Sequence, residues 1–254
     1  MELQNLTDSL SGRACAYGME ISTEKSKIMV NSINCDSADI HMNGEMLEEV
    51  NQFKYLGSIL TKDGASKTEV KARITSATSA LTRLERVFKS RNISFCTKYH
   101  LYKSLVLSIL LYGCESWTLT AELEKRIQAF ENKCHRKLLK ISYKEHKTNE
   151  YVRNEMKKRV GSQEPLLSTI KRRKLMWFGH TARHDTLAKT ILQGTLEGKR
   201  KRGRQKKSWL DNITEWTNQP LHQLLPATLD RERRRVISAA SSFMFPLRSD
   251  RTRD

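Results

Sequence analysis

The chain has 254 residues, of which 38% are hydrophobic and 7% aromatic, and its formal net charge at pH 7 is +18. This length accommodates one large domain or two to three small ones, and the excess of cations indicates an anionic partner, most commonly nucleic acid. No apolar run approaches the roughly 20 residues of a membrane-spanning helix, and the first residues do not have the pattern of a secretory signal, so we expect no membrane partner and no secretion.

The first predicted block, residues 1–62, mixes one helix with short strands. Apolar residues recur at helical spacing in Leu3, Leu6, Leu10 and Ala14. Gly18 is expected to end this helix. Apolar segments around Ile28 and Ile40 predict strands, and Asn43-Gly44 is a strong signal for a type I′ hairpin. We therefore expect a small antiparallel sheet with one helix packed on it.

The second block, residues 63–145, is predicted to be helical because three apolar stripes follow the helical period. The stripes are Val70, Ile74, Ala77, Leu81, Leu84 and Phe88; then Leu101, Leu105, Ile109 and Tyr112; then Leu123, Ile127, Phe130, Cys134 and Leu138. The expected fold class is accordingly α+β and mostly α.

The third block, residues 146–254, is the basic one. Between residues 153 and 207 there are 17 lysines and arginines against four acidic residues, which is a net +13 of the total +18. Helices are predicted around residues 209–216 and from about 228 to 243. The five cysteines are dispersed without a CxxC pair, which indicates reduced thiols in the cytosol or nucleus.

Several segments resemble the reverse transcriptases of non-LTR (LINE-type) retrotransposons. They are residues 18–29 (GMEISTEKSKIM), 53–60 (FKYLGSIL), 111–117 (LYGCESW), 171–180 (KRRKLMWFGH) and 198–209 (GKRKRGRQKKSW). The resemblance implies a palm remnant over 1–62, a thumb-like helical domain over 63–145 and a basic nucleic-acid-binding region over 146–254. It also implies descent from an RNA-directed DNA polymerase.

In that family an aspartate pair precedes the helix that opens here at residue 2, so we expect a C-terminal fragment without it. Nucleotidyl transfer by two Mg²⁺ ions needs converging carboxylates, and no Asp-Asp dipeptide occurs in the sequence. We therefore expect no catalytic metal and no cofactor in this chain, although the intact polymerase would use Mg²⁺. The chain alone is expected to be inactive as a polymerase.

The resemblance assigns roles to three residues of the first block. Lys25 would be the proton donor to pyrophosphate in the ancestral polymerase, and in this chain it is otherwise a solvated turn residue. Tyr55 and Gly57 lie in a segment that grips the primer backbone in related polymerases. The other interpretation of that segment is a half-buried strand with Phe53 and Tyr55 on one face.

Dense cations on a loosely structured segment predict phosphate contacts in the basic block. The candidate nucleic-acid-binding residues there are Lys171, Arg172, Arg173, Lys174, Lys199, Arg200, Lys201, Arg202, Arg204, Lys206 and Lys207. A solvated linker and a nuclear import signal are the other interpretations of the run 199–207. Trp177 fits either a base-stacking platform or a helix stripe with Phe178, and the stripe is favoured. His180 and His184 have metal-ligand spacing, but no cysteine lies near them, so we expect no zinc site.

The leading hypothesis is a truncated retroelement reverse transcriptase that binds RNA, an RNA–DNA hybrid or DNA through phosphates. It would be nuclear or cytoplasmic, as part of a ribonucleoprotein. Two alternatives remain open: a stand-alone or domesticated nucleic-acid-binding protein whose basic region is the functional part, and a non-functional relic.

Overall fold

The computed structural model of the chain describes residues 2–30, 39–184, 186–194 and 206–230. These residues form two compact units that divide between Glu69 and Val70. The described strands all lie in the first unit, and helices make up most of the remaining residues. The fold class is therefore α+β and mostly α, as the sequence predicts.

The first unit begins with the predicted helix, α1 (Glu2–Ala16), which ends just before Gly18 at a positive φ of 69°. Gln4 joins α1 to the strand region, because its side-chain amide exchanges two hydrogen bonds with the backbone of His41, at 2.8 and 2.9 Å. The predicted apolar stripe is only partly covered. Ala14 is buried, whereas Leu6 is 67% exposed. The helical period is thus correct, but most of the stripe does not form a core.

Three pairs of short strands follow: β1 (Lys27–Ile28) with β4 (Glu48–Glu49), β2 (His41–Met42) with β3 (Glu45–Met46), and β5 (Gln52–Tyr55) with β6 (Ser58–Thr61). The last two pairs are antiparallel, but β1 and β4 are parallel, which corrects the expectation of a purely antiparallel sheet. Ile28, Ile40, Met42 and Leu47 form the small core of this unit.

The hairpin between β2 and β3 turns at Asn43 and Gly44, whose φ angles are 54° and 81°. Positive φ at both central residues is the type I′ geometry, so the predicted hairpin is confirmed. A second hairpin of the same kind joins β5 to β6 through Leu56 and Gly57, with φ angles of 47° and 81°. The buried carboxylate of Glu69 accepts the backbone N–H of Ile59 at 2.6 Å and ties this hairpin to the following helix.

The helices continue as α2 (Lys67–Arg83), α3 (Glu85–Lys89), α4 (Phe95–Leu101), a π-helical segment (Tyr102–Leu107), α5 (Ser108–Leu110), α6 (Ala121–Leu139), α7 (Asn149–Val160), α8 (Leu166–Arg183), α9 (Leu187–Gln193), α10 (Trp209–Thr217) and α11 (Leu221–Leu229). Short 3₁₀ segments lie at Cys114–Ser116 and Tyr143–Glu145. Within the described parts of the chain, no helix is both long enough and apolar enough to cross a lipid bilayer.

Hydroxyl side chains cap the N-termini of α6, α7 and α10. Thr120 accepts the backbone N–H of Leu123 at α6, and Thr148 accepts that of Tyr151 at α7. Ser208 and Asp211 form a reciprocal capping box at α10. Such caps satisfy backbone donors that have no partner inside the helix, and they set the register of the faces that follow.

The main core of the second unit joins residues from both sides of position 145. It contains the predicted stripe of α6 and most of that of α2, together with buried residues of later helices, namely Val152, Met156, Leu166, Leu167, Ile170 and Trp216. The segments 63–145 and 146–254 thus share one core. Their predicted division into a thumb-like domain and a nucleic-acid-binding region stays a prediction about their roles.

The predicted face of the second helix is only partly right, because Leu101 and Ile109 pack against the core as half-buried residues. The buried apolar residues of α4, the π-helical segment and α5 are Tyr99, Tyr102, Val106 and Leu110. The predicted residue Leu105 is instead 45% exposed, and Tyr112 lies beyond the helix. Tyr99, Tyr102, Val106 and Leu110 recur at positions i, i+3, i+7 and i+11, which fits a helical face as well as the predicted set does, so tertiary packing decides which face is buried.

Candidate nucleic-acid interface

The predicted cationic run on α8 divides into two half-buried and two buried residues. Arg172 extends along the surface and donates to both carboxylate oxygens of Glu164, each at 2.9 Å. This forked hydrogen bond lowers the pKa of the Glu164 carboxyl. Arg173 donates to the carbonyl oxygen of Leu111 at 3.4 Å and lies 3.9 Å from the carboxylate of Glu115. Both arginines keep exposed surface that a phosphate could reach.

Lys171 and Lys174 were predicted to be surface cations, but both are buried. Lys174 is fully buried, and its Nζ donates to the carbonyl oxygen of Trp117 at 2.8 Å and to Oδ1 of Asn212 at 2.9 Å. Lys171 is 6% exposed and lies 3.7 Å from the carboxylate of Glu124. A charge run in sequence does not reveal these tertiary partners, so the prediction of phosphate contacts at both positions has no structural support.

Around Lys174 lies what we call the tryptophan cluster: Trp117, Trp177, Trp209 and Trp216 with Lys174 and Asn212. The Nζ atom of Lys174 is 4.5 Å from the ring centre of Trp209 and 5.2 Å from that of Trp216. Trp209 in turn donates its indole N–H to the carbonyl oxygen of Glu115 at 2.8 Å. Three of the segments that carry the family resemblance thus meet at one packing centre.

Burial lowers the pKa of Lys174 to about 7, and the positive charge of Lys207 adds to this effect. The two oxygen acceptors around Nζ match the two N–H groups of a neutral amine. The indole faces of Trp209 and Trp216 favour the protonated form instead. The cluster is thus a buried polar centre that holds helices together.

Trp177 lies at the edge of this cluster. The apolar stripe predicted for α8 is confirmed, since Ile170, Leu175, Phe178 and Ala182 are buried. Trp177 itself is 41% exposed and contacts Trp209 edge-on, with ring centres 5.2 Å apart. It therefore serves as packing on one side and offers an indole surface on the other.

His180 and His184 lie side by side at the end of α8, with ring centres 4.6 Å apart. Across the described residues, no three His, Cys, Asp or Glu side chains are arranged to hold a metal ion.

Lys25, Tyr55 and Gly57 all lie in the first unit. Lys25 is exposed in the turn that precedes β1, and Tyr55 is 57% exposed at the end of β5. Gly57 occupies the second turn position of the hairpin, so its positive φ gives it a conformational role besides the predicted close approach to a backbone. The ancestral roles of these residues stay predictions.

The densest cationic segment lies largely outside the described residues. This applies to Lys199, Arg200, Lys201, Arg202 and Arg204. Lys206 and Lys207 are described and lead into α10. Lys206 is exposed, and Lys207 pairs with the carboxylate of Glu215.

A groove with a volume of about 550 Å³ lies between α2 and α6, and none of its residues was predicted from sequence as a binding residue. Its lining residues are Lys71, Ile74, Thr75 and Thr78 from α2 and Arg126, Ala129, Phe130 and Lys133 from α6. Each helix contributes positions i, i+3, i+4 and i+7, which is one helical face. Three of the eight residues are cations and none is acidic. These cations occur singly in sequence, so the only available signal was their position beside the two apolar stripes.

The groove cations are open to solvent. Lys71 and Lys133 are exposed and make no ion pair with any described residue, whereas Arg126 pairs with the exposed Glu122 at 3.0 Å. Thr75 and Thr78 donate their hydroxyl hydrogens to backbone carbonyl oxygens within α2. The groove surface is therefore cationic, with small side chains along its floor.

Comparison with known proteins finds one informative similarity. A Caenorhabditis elegans protein, named as a putative uncharacterized transposon-derived protein, is 26% identical to the chain over 215 residues. The alignment covers 83% of this chain and 69% of the Caenorhabditis elegans protein. No protein-family model matches the chain, and no solved structure matches it. The chain is thus similar, over most of its length, to a protein that is named for its derivation from a transposon.

Proposed function

We propose that the chain derives from the reverse transcriptase of a non-LTR retroelement and binds RNA or an RNA–DNA hybrid through phosphates. Its similarity to the transposon-derived protein supports a retroelement origin. The sequence segments that resemble non-LTR reverse transcriptases support the more specific assignment. Polymerisation by this chain alone is not part of the proposal, because no Asp-Asp pair occurs in the sequence.

The groove between α2 and α6 is the observation that carries the binding proposal. Lys71 stands on one wall, and Arg126 and Lys133 stand on the other, seven residues apart. Seven residues of α-helix span about 10 Å, so the two cations of α6 can meet different phosphates of one strand. No carboxylate lines the groove, and because Glu122 pairs with Arg126, Lys71 and Lys133 are the cations that a phosphate reaches without displacing an acidic partner.

The basic run 199–207 would add contacts beyond the groove. Seven of its nine residues are cations, and Gly203 interrupts them, which suits a segment that follows a phosphate backbone. A nuclear import role is compatible with this one, because both use the same exposed charge.

The test is RNA binding measured at several salt concentrations. With about five to eight phosphate contacts, log affinity should fall against log salt with a slope of roughly −4 to −6 on single strands. The double variant Lys71→Ala/Lys133→Ala should flatten the slope by about one unit or more, since each lost contact removes about 0.7. Replacing Lys199, Arg200, Lys201, Arg202 and Arg204 by alanine should flatten it by about two units or more.

The matched control is Lys144→Ala/Lys158→Ala, which removes the same charge from lysines outside the groove and should leave the slope nearly unchanged. Vesicles of anionic lipid, added as competitors, should displace little RNA at equal charge density. An unchanged affinity and slope in the groove variant would show that the groove does not bind phosphates. The same result in the five-alanine variant would identify the run 199–207 as a solvated linker.

A further inference from the structure

A second cavity, of about 540 Å³, lies between α6 and α7 and reaches the loop that precedes α8. On α6 it is lined by Gln128, Glu131, Asn132 and His135. These four positions form one helical face, which lies beside the apolar stripe of the same helix. A polar face of this kind usually points to solvent, whereas here it forms one wall of a partly enclosed cavity.

Several polar groups of this cavity have no hydrogen-bond partner in the described chain. The Nδ1 atom of His135 is buried and unpaired. The side-chain amides of Gln128, Asn132 and Asn154 also make no hydrogen bond to a described residue. Buried polar groups are usually satisfied, so the buried Nδ1 of His135 indicates a polar ligand or bound water, and the neighbouring amides, which solvent reaches, offer further donors and acceptors.

The inner and outer parts of the cavity differ in charge. Burial lowers the pKa of His135 to about 4, so its imidazole is neutral at physiological pH. Burial also raises the pKa of Glu131, one of whose carboxylate oxygens accepts the backbone N–H of Leu166 at 2.9 Å. The exposed cations Arg153 and Lys157 stand on α7. A fitting ligand is therefore polar and neutral at one end and anionic at the other.

We propose that this cavity binds one nucleotide, with the base against Gln128, Asn132 and His135 and the phosphate at Arg153 and Lys157. A nucleobase edge carries both donors and acceptors, which matches two amides and a neutral imidazole. Tyr99, Met156 and Leu167 supply apolar surface for the base. The nucleotide is either free or an unstacked residue of a bound RNA strand, and the second case rests on the proposed function.

The test uses the full chain and three probes: AMP, UMP and ribose 5-phosphate, which has no base. Calorimetric titration should show that at least one nucleotide binds about tenfold more tightly than ribose 5-phosphate, because base hydrogen bonds add to the phosphate contact. Asn132→Ala should weaken nucleotide binding by about tenfold and leave ribose 5-phosphate unaffected. Lys157→Ala should weaken both ligands.

Lys158→Ala is the matched control, because it removes the same charge from the same helix at a residue that does not line the cavity. Circular dichroism melting shows whether each variant is folded, and the exposed position of Lys157 keeps this variant informative if Asn132→Ala is not. An RNA oligomer with abasic residues separates the two sources of nucleotide. Weaker binding of this oligomer than of the intact RNA, abolished by Asn132→Ala, identifies a base of the strand as the occupant.

Equal affinity for nucleotide and ribose 5-phosphate would overturn the inference, as would nucleotide binding that Asn132→Ala and Lys157→Ala leave unchanged. If salt-dependent RNA binding persists in that case, the proposed function stands and the cavity inference alone fails. Nucleotide binding without RNA binding has the opposite meaning: the cavity inference stands and the proposed function fails.

Discussion

Lys174 shows how one side chain connects distant parts of the second unit. It lies on α8, its two acceptors come from Trp117 and from Asn212 on α10, and its ammonium faces two indole rings. Removing one partner of a buried polar group leaves the others unsatisfied, which costs about 1–3 kcal/mol per group. The cluster is thus sensitive to substitution at any of these positions.

The buried lysine predicts a pH dependence of stability. The pKa of Lys174 in the folded chain is about 7, below the ordinary value of 10.5, so the unfolded chain binds more protons between these two pH values. Stability should therefore rise with pH across this window, by at most about 1.4 kcal/mol per pH unit. Urea unfolding of the wild type and Lys174→Met between pH 7.5 and 9.5 measures the difference.

The comparison with the variant cancels the titration of Cys114 and Cys134, whose pKa values burial raises to about 12. Lys158→Met, at an exposed lysine, should retain the wild-type pH dependence. Parallel stability curves for wild type and Lys174→Met would mean that Lys174 stays protonated in the folded chain, held by its two acceptors and the indoles.

At the scale of elements, the buried face of residues 95–110 gives a prediction that opposes the one drawn from sequence. Leu110 is fully buried, whereas Leu105 is 45% exposed although it belongs to the predicted stripe. Leu110→Ala should lower the free energy of unfolding by about 2–5 kcal/mol. The same change at Leu105 should cost less than about 1 kcal/mol, and thermal or urea unfolding compares the two. A larger loss at Leu105 would restore the face predicted from sequence.

The hydrophobic period predicted where the helices lie better than it predicted which face of each helix is buried. The faces of α2 and α6 follow from the 3.6-residue period because each helix offers a single apolar stripe. In residues 95–112 two adjacent faces both follow the helical period, and the core contacts that select one of them come from distant segments, which no local pattern showed. The hairpin at Asn43 was predictable because two successive positive φ angles require specific residues.

The candidate site was predicted less well than the fold, for a physical reason. Charge density along the sequence selected Lys171 and Lys174, but their environment depends on α10 and on the segment around Trp117, which are remote in sequence. The groove cations could not be predicted from sequence, because the groove forms only when α2 and α6 pack together. Arg172 and Arg173 could be selected from the charge run and do keep exposed surface.

At the scale of the whole molecule, the two units differ in how much core they possess. The first has a core cluster of four apolar residues beside two ladders that are each only two residues long, and Leu3, Leu6 and Leu10 of α1 remain exposed. The second has a far larger core that spans α2 to α10. Local stability follows buried apolar contacts, so the two units should open at different free energies.

Hydrogen exchange followed by mass spectrometry tests this difference. Backbone amides of α1 and of β1 to β4 should exchange faster than those of α6 and α8, by about tenfold or more, because fewer buried contacts oppose local opening. Peptides from the hairpin β5–β6 serve as an internal comparison, since its ladder is longer and Glu69 anchors it. Strong and uniform protection across residues 2–30 and 39–60 would show that the small core is sufficient.

Asn212 has a consequence for the order in which the protein is completed. Its side chain accepts the backbone N–H of Leu119 at 2.7 Å and donates to the carbonyl oxygen of the same residue at 2.8 Å, across 93 positions of sequence. During synthesis, the segment before α6 leaves the ribosome long before α10 exists, so its buried backbone must stay hydrated until then. These bonds of the second unit therefore form late: α10 also brings in an acceptor for Lys174, and a nascent chain that has not reached residue 212 has none of the three hydrogen bonds.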